Sequence, residues 1–207
     1  VVLTTGAATS TANYVIRMNA AKYVTFDGID VSNTNSSYGA CVDIFGNNRK
    51  IKFTNGEFSN AYTGTLSASA LFYKSSTATN RFDTLEVSNC TLGSSTNAPY
   101  YATYFYGTSS LTTTSNELIF NNNTVYFGYY GVYSFYIPSG EYIGNTVIQS
   151  GTYSIGYGLR MYGSSAWTNA SDWVVASNSV SMISGGYGIQ TGYSNASSSS
   201  PMKIYNN

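Results

Sequence analysis

The 207-residue chain has no histidine, nine basic and nine acidic side chains, three prolines and two cysteines. Each shortage excludes something. Without histidine there is no Ser-His-Asp triad, no imidazole general base and no ordinary zinc site. With charges balanced, the chain lacks the cationic excess that displaces counterions from nucleic acid or holds an anionic membrane surface. No apolar run approaches the ~18 residues that a membrane-spanning helix needs. Cys41 and Cys90 are too few for a disulfide framework. The expectations are therefore no nucleic-acid partner, no membrane insertion, and neither metal nor cofactor.

What is abundant is neutral: Gly 20, Tyr 21, and a large share of Ser, Thr and Asn. A neutral polar surface suits a secreted or cell-surface protein. The chain opens on Val1-Val2-Leu3 rather than Met, so residues 1–207 are expected to form a single domain that is a fragment of a longer chain.

One phrase recurs: Val24-Thr-Phe-Asp-Gly-Ile-Asp-Val31, then Ile51 to Phe58, Leu85 to Leu92, Leu118 to Val125 and Trp173 to Val180, with a weaker copy at Tyr142 to Val147 and a last one beginning at Met202. Aligned, the copies give three apolar columns. The first runs Val24, Ile51, Leu85, Leu118, Gly140, Trp173, Met202. The second runs Phe26, Phe53, Val87, Phe120, Tyr142, Val175, Ile204, and the third Val31, Phe58, Leu92, Val125, Val147, Val180. All but Gly140 are apolar. A shift of one residue in that copy, placing Ile143 in the second column, fits equally well.

Second-column positions are 27, 34, 33, 22, 33 and 29 residues apart. Alternation of period two means strands, and a tandem unit of this length without helical periodicity reads as a β coil. Each coil completes its backbone pairing only against the next, ~4.8 Å along the axis. Segments Tyr62 to Asn80 and Gly93 to Thr113 absorb the variable length as outward loops. Asn recurs two or three residues after the second column, at Asn55, Asn89, Asn122, Asn123, Asn145, Asn178, Asn206 and Asn207, with Gly28 in the first copy. Both types tolerate left-handed backbone at a bend, and stacked amides can hydrogen-bond from coil to coil. A second phrase, Tyr-Gly, occurs at Tyr38, Tyr130, Tyr157 and Tyr187 and is expected to open another parallel sheet. The fold class is all-β: a right-handed parallel β-helix, or β-solenoid, of about six coils with Asn-containing bends.

These phrases resemble the right-handed β-helix repeats of the pectate-lyase-like superfamily, and Tyr14 to Ile29 resembles repeats of large secreted bacterial surface proteins. The resemblance implies fold more than activity, since that superfamily includes lyases, hydrolases, epimerases, tailspikes and adhesins. Its lyases use clustered acids that hold calcium and a Lys or Arg base; its hydrolases use a trio of Asp. The nearest approach here is Asp27, Asp30, Asp43 and Glu57 with Arg17, Lys50 and Lys52, and no family catalytic motif matches them. Only Glu117 and Glu141 are charged between Val87 and Leu159. No catalytic residue is assigned.

Lys52 and Glu86 should meet across adjacent strands as an exposed ion pair, and Asp27 and Asp30 should cap local amides. The cysteines, read as two coils apart, should be free. The Asn-x-Ser/Thr triplets at Asn35, Asn89, Asn122, Asn169 and Asn195 match what chance gives in so Asn- and Ser-rich a chain. Tyrosine carries the functional expectation: Tyr133, Phe135 and Tyr162, facing outward near Arg160 and Gln190, offer rings and hydrogen-bonding groups to a glycan. The competing reading is that these aromatics stack for stability alone. The expected role is a non-catalytic stalk or adhesin segment whose partner is an extracellular polysaccharide or glycan, with end-to-end self-association into a fibre subsidiary. The alternative is a polysaccharide lyase or glycoside hydrolase.

Overall fold

The computed structural model describes residues 1–6, 9, 12–77, 79–107, 117–162, 173–192 and 202–207. Asn169, Asp172, Asn195 and the serine run 197–200 lie outside them.

Three parallel sheets wind together into a β-solenoid of about six turns. One, here called the anchor sheet, contains Lys22–Asp27, Asn47–Thr54, Thr84–Ser88, Glu117–Asn121, Ser139–Ile143, Trp173–Ala176 and Lys203–Tyr205. After the bend the chain enters the exit sheet, from Val2–Thr5 and Asp30–Asn33 through Glu57–Asn60, Thr91–Leu92, Thr124–Phe127 and Thr146–Gln149 to Ser179–Ser181. The third, the tyrosine sheet, contains Ile16–Asn19, Val42–Phe45, Phe72–Lys74, Tyr101–Tyr106, Tyr130–Phe135, Ile155–Tyr162 and Gly185–Gly192.

The columns read from the sequence are rungs of this coil. Phe26, Phe53, Val87, Phe120, Tyr142, Val175 and Ile204 are successive partners in the anchor sheet. Val31, Phe58, Leu92, Val125, Val147 and Val180 are successive partners in the exit sheet. Phe53, Val87, Phe120, Leu92 and Val125 are fully buried, each worth about 1.5–3 kcal/mol of apolar burial. Gly140 does stand in the first column, between Leu118 and Trp173, which decides against the shifted alignment.

The bend resolves into two positions with different physics. Gly28, Asn55, Asn89, Asn122, Gly144, Ser177 and Asn206 adopt positive φ between 54° and 69°, and they turn the chain. The next residue points inward. There Asn123, Asn145 and Asn178 are buried and linked: the Asn123 Nδ2 donates to Asn145 Oδ1 at 3.1 Å and Asn145 Nδ2 to Asn178 Oδ1 at 2.9 Å. The backbone N–H of Asn123 and of Asn145 donates to the same oxygens, and each Nδ2 also satisfies a carbonyl, Val87, Phe120 and Tyr142 in turn.

Two expectations are corrected. The segments Tyr62 to Asn80 and Gly93 to Thr113 are not loops throughout, because they contain the strands Phe72–Lys74 and Tyr101–Tyr106. Those strands lack the Tyr-Gly mark, so spacing alone hides them. Tyr38 does not open a strand in register with Tyr130, since Val132, Thr103, Phe72 and Val42 are level; Tyr38 falls two residues early. Elsewhere the phrase has a steric cause. A Cβ on Gly158 would sit 2.6 Å from Val180 Cγ1, and one on Gly131 3.0 Å from Val147 Cγ1, so only glycine lets the tyrosine sheet approach the exit sheet there. Cys41 precedes Val42–Phe45 and Cys90 follows Thr84–Ser88, which places them nearly two turns apart on different sides of the coil, as expected; both are free and buried.

Candidate functional site: the tyrosine sheet

Side chains alternate across the tyrosine sheet, so every outward position repeats once per coil as a column. One column is Tyr101, Tyr130, Tyr157 and Tyr187, with ring centroids 4.8, 5.1 and 5.6 Å apart and planes within 17°. The next is Arg17, Asp43, Tyr73, Tyr104, Tyr133, Arg160 and Gln190. A third aligns Tyr106, Phe135, Tyr162 and Gly192. The five residues predicted from sequence thus share one face: Tyr133, Arg160 and Gln190 in one column, Phe135 and Tyr162 beside them.

Arg160 takes the place of a ring in its column. Its guanidinium lies 4.6 to 5.4 Å from the ring centres of Tyr157, Tyr162, Tyr133 and Tyr130, and its Nη1 donates to the Tyr130 hydroxyl at 3.0 Å. Cation–π attraction holds it without a carboxylate; no ion pair to Arg160 is found among the described residues. Burial, reinforced by neighbouring tyrosines, pushes the Tyr104 hydroxyl up to about 12. The Tyr101 hydroxyl is raised for the same reasons, and that of Tyr133 by burial against the opposing pull of Arg160.

The arrangement limits what these rings can do. Tyr104 stacks on Tyr133 at 5.2 Å and Phe135 on Tyr162 at 5.3 Å, both within 20° of parallel. Their faces are turned to one another along the axis, so solvent meets ring edges and phenolic hydroxyls. The sequence gives the side of the sheet a residue occupies, but not the ring torsion that decides this.

Two features lay beyond the sequence reading. At the corner between the exit and tyrosine sheets, Tyr100 and Tyr129 stack at 4.9 Å and 2°, with Tyr153 edge-on to both. In the tyrosine sheet Lys74 points inward and is wholly buried, its Nζ donating to the Tyr106 carbonyl at 2.7 Å and the Ser75 carbonyl at 3.3 Å. Burial, with Arg81 adding to it, lowers this amine from 10.5 to about 7.

The acids are dispersed among structural tasks. Asp43 sits on the tyrosine sheet, bonded to Arg17 at 2.8 Å. Asp30 accepts the backbone N–H of Glu57 from the next coil and Asp27 holds the Asn55 side chain of the next coil, so both reach across coils where local caps were expected. Lys52 pairs with Glu86 at 2.7 Å across adjacent strands. Lys50 carries its Nζ 5.8 Å from the centre of the Tyr23 ring. No group of three or more metal-ligating side chains occurs among the described residues, and no helix there is long and apolar enough to cross a membrane. No known protein family, curated protein or solved structure matches the chain.

Proposed function

We propose that this chain is a non-catalytic β-helical segment of a secreted or cell-surface protein, a stiff stalk or adhesin element that meets carbohydrate through its tyrosine sheet. The observation that carries the reading is the outward pavement of three aromatic columns with Arg160 set into it. Phenolic hydroxyls repeat there once per coil, a period close to that of sugars along an extended polysaccharide. A hydroxyl-rich polymer lying along the axis would present a hydrogen-bonding group to each rung. Resemblance to the pectate-lyase-like superfamily rests on the repeat phrase, and it supports an extracellular setting. Asp30 and Glu57 are neighbours on the exit sheet, but Asp43 is tied to Arg17 on the tyrosine sheet and no group of three metal-ligating side chains occurs among the described residues, which argues against the lyase or hydrolase alternative and its clustered acids.

The test is retention on immobilised neutral and acidic glycans. Tyr133→Ala combined with Tyr162→Ala should lose retention while circular dichroism stays that of the parent. Unchanged retention on every glycan tested would reject the binding role and leave the stacked rings a purely structural one.

A further inference from the structure

The corner where the chain passes from the tyrosine sheet into the anchor sheet carries an unusual pair of residues in its first two coils. Lys22 is level with Arg49 and Val24 with Ile51, so Tyr23 and Lys50 between them are level too. Both adopt left-handed backbone, at φ 57° and 50°. That conformation is costly for a residue with a large side chain, and Gly and Asn fill most of the other left-handed positions of this chain. Strain that glycine would relieve, kept at two stacked positions, is a sign that the side chains themselves are used.

Lys22, Tyr23, Arg49 and Lys50 are all exposed, Tyr23 by 66%. The carboxylates around them are already engaged. Asp83, from the next coil, takes Arg49 Nε at 3.0 Å and the backbone N–H groups of Lys50 and Thr84. Glu86 is held by Lys52. Glu117, the partner of Thr84 one coil further on, accepts from the Thr84 hydroxyl, and Asp27, at the far end of the strand Lys22–Asp27, holds Asn55. Arg81, the backbone partner of Asn47, adds a further cation on the tyrosine-sheet side of the corner. Among the described residues no ion pair engages Lys22 or Lys50.

Lys22, Arg49 and Lys50 thus face Asp83 alone, a local excess of positive charge in a chain whose total is zero. The excess spans two rungs of ~4.8 Å. That is the size of one compact anion and is too short for a nucleic-acid backbone or a lipid surface. A phosphate monoester carries a charge of about −1.5 to −2 at pH 7 and three strong acceptor oxygens, which matches both the excess and the three cationic side chains. A carboxylate or a sulfate ester brings a single charge. The exposed Tyr23 ring offers flat apolar surface to whatever group the ester carries.

We propose that this corner is a binding site for a small phosphate monoester, with the phosphate on Lys22, Arg49 and Lys50 and the organic part against Tyr23. The site lies off the outward face of the tyrosine sheet and is independent of any carbohydrate role there.

The probes are phenyl phosphate, phenyl sulfate and inorganic phosphate, titrated by calorimetry at low ionic strength, where exposed charges are least screened. The parent should bind phenyl phosphate saturably at one site, and the other two at least fivefold more weakly. Lys22→Gln combined with Lys50→Gly should weaken phenyl phosphate at least tenfold with no fall in Tm, because glycine relieves the strained backbone. Lys22→Arg with Lys50→Arg, which keeps both charges, should retain binding. Tyr23→Gly should erase the preference for phenyl phosphate over inorganic phosphate. Absence of saturable binding in the parent, equal affinity for the phosphate and sulfate esters, or unchanged affinity in the Gln and Gly double variant overturns the proposal. So does an equal loss in the double arginine variant, which would show that charge is not what the site supplies.

Discussion

The indole of Trp173 occupies the room that Gly140 leaves empty on the neighbouring rung. The two are partners in the anchor sheet, and a Cβ on Gly140 would come within 3.0 Å of Trp173 Cη2 and Cζ3 and closer still to the Leu118 carbonyl. Trp173 is 2% exposed, and its Nε1 donates to the Ile137 carbonyl at 3.2 Å. The weakest apolar position of the repeat is thus offset by the largest side chain in the core. Gly140→Ala should destabilise by about 1–3 kcal/mol through overpacking, and Trp173→Ala by about 3–5 kcal/mol through the cavity. Denaturant midpoints of the two variants check both figures.

The two bend positions should respond differently to substitution. Asn145→Ala removes donors to Asn178 Oδ1 and the Phe120 carbonyl and the oxygen that serves Asn123 twice. A buried orphan costs about 1–3 kcal/mol, so the loss should reach several kcal/mol. Asn55→Gly, at φ 57° on the surface, should be nearly neutral because glycine tolerates that conformation. Equal losses from the two variants in urea titrations would contradict the division of roles.

Lys74 predicts a pH dependence of unusual sign. Between pH 7 and 10.5 the unfolded lysine holds a proton that the native amine has released. The unfolded state binds more protons, so stability rises with pH across that window. The penalty is fully present below pH 7. Above pH 10 the tyrosines act oppositely, since Tyr100 and Tyr104, raised to about 12, keep protons that unfolded tyrosines lose. From pH 9 the buried thiols also keep protons that unfolded cysteines lose, so stability should peak near pH 9, and Lys74→Met should abolish the rising limb in Tm measured from pH 6 to 9.

The Lys52–Glu86 pair is partly exposed on both sides, 40% and 26%. A double-mutant cycle should give a coupling of about 0.2–1 kcal/mol that fades in high salt.

Burial raises both thiols, that of Cys41 to about 12. Native protein should leave a thiol-reactive disulfide reagent unconsumed, and denaturant should release two equivalents. Reaction of either thiol under native conditions would place it nearer the surface than its burial here.

Much of the coil was legible because alternation is a local signal: Phe53, Val87 and Phe120 announce their facing whatever lies between them. Register in the tyrosine sheet was less legible. Tyr101 carries the column of Tyr130 without a glycine after it, whereas Tyr38-Gly39 has the phrase and lies off register. Lys74 was invisible for a related reason. A lysine is expected outside, and only its neighbours Tyr73 and Phe72, whose facing is fixed by pairing with Asp43 and Val42, reveal that it must turn inward. The five predicted tyrosine-sheet residues came together on one face because their spacing from the Tyr-Gly mark is constant in the last coils.

The buried asparagine column has a sense of travel. Each Oδ1 accepts from the coil before it, Cys90 N–H to Asn123, Asn123 to Asn145, Asn145 to Asn178, Asn178 to Asn207, and none is reversed. Amides aligned head to tail polarise one another, so the column is a one-way series and its rungs are not interchangeable plates. A coil transplanted into it would dock in a single orientation, and a break at Asn145 would weaken the links on both sides at once.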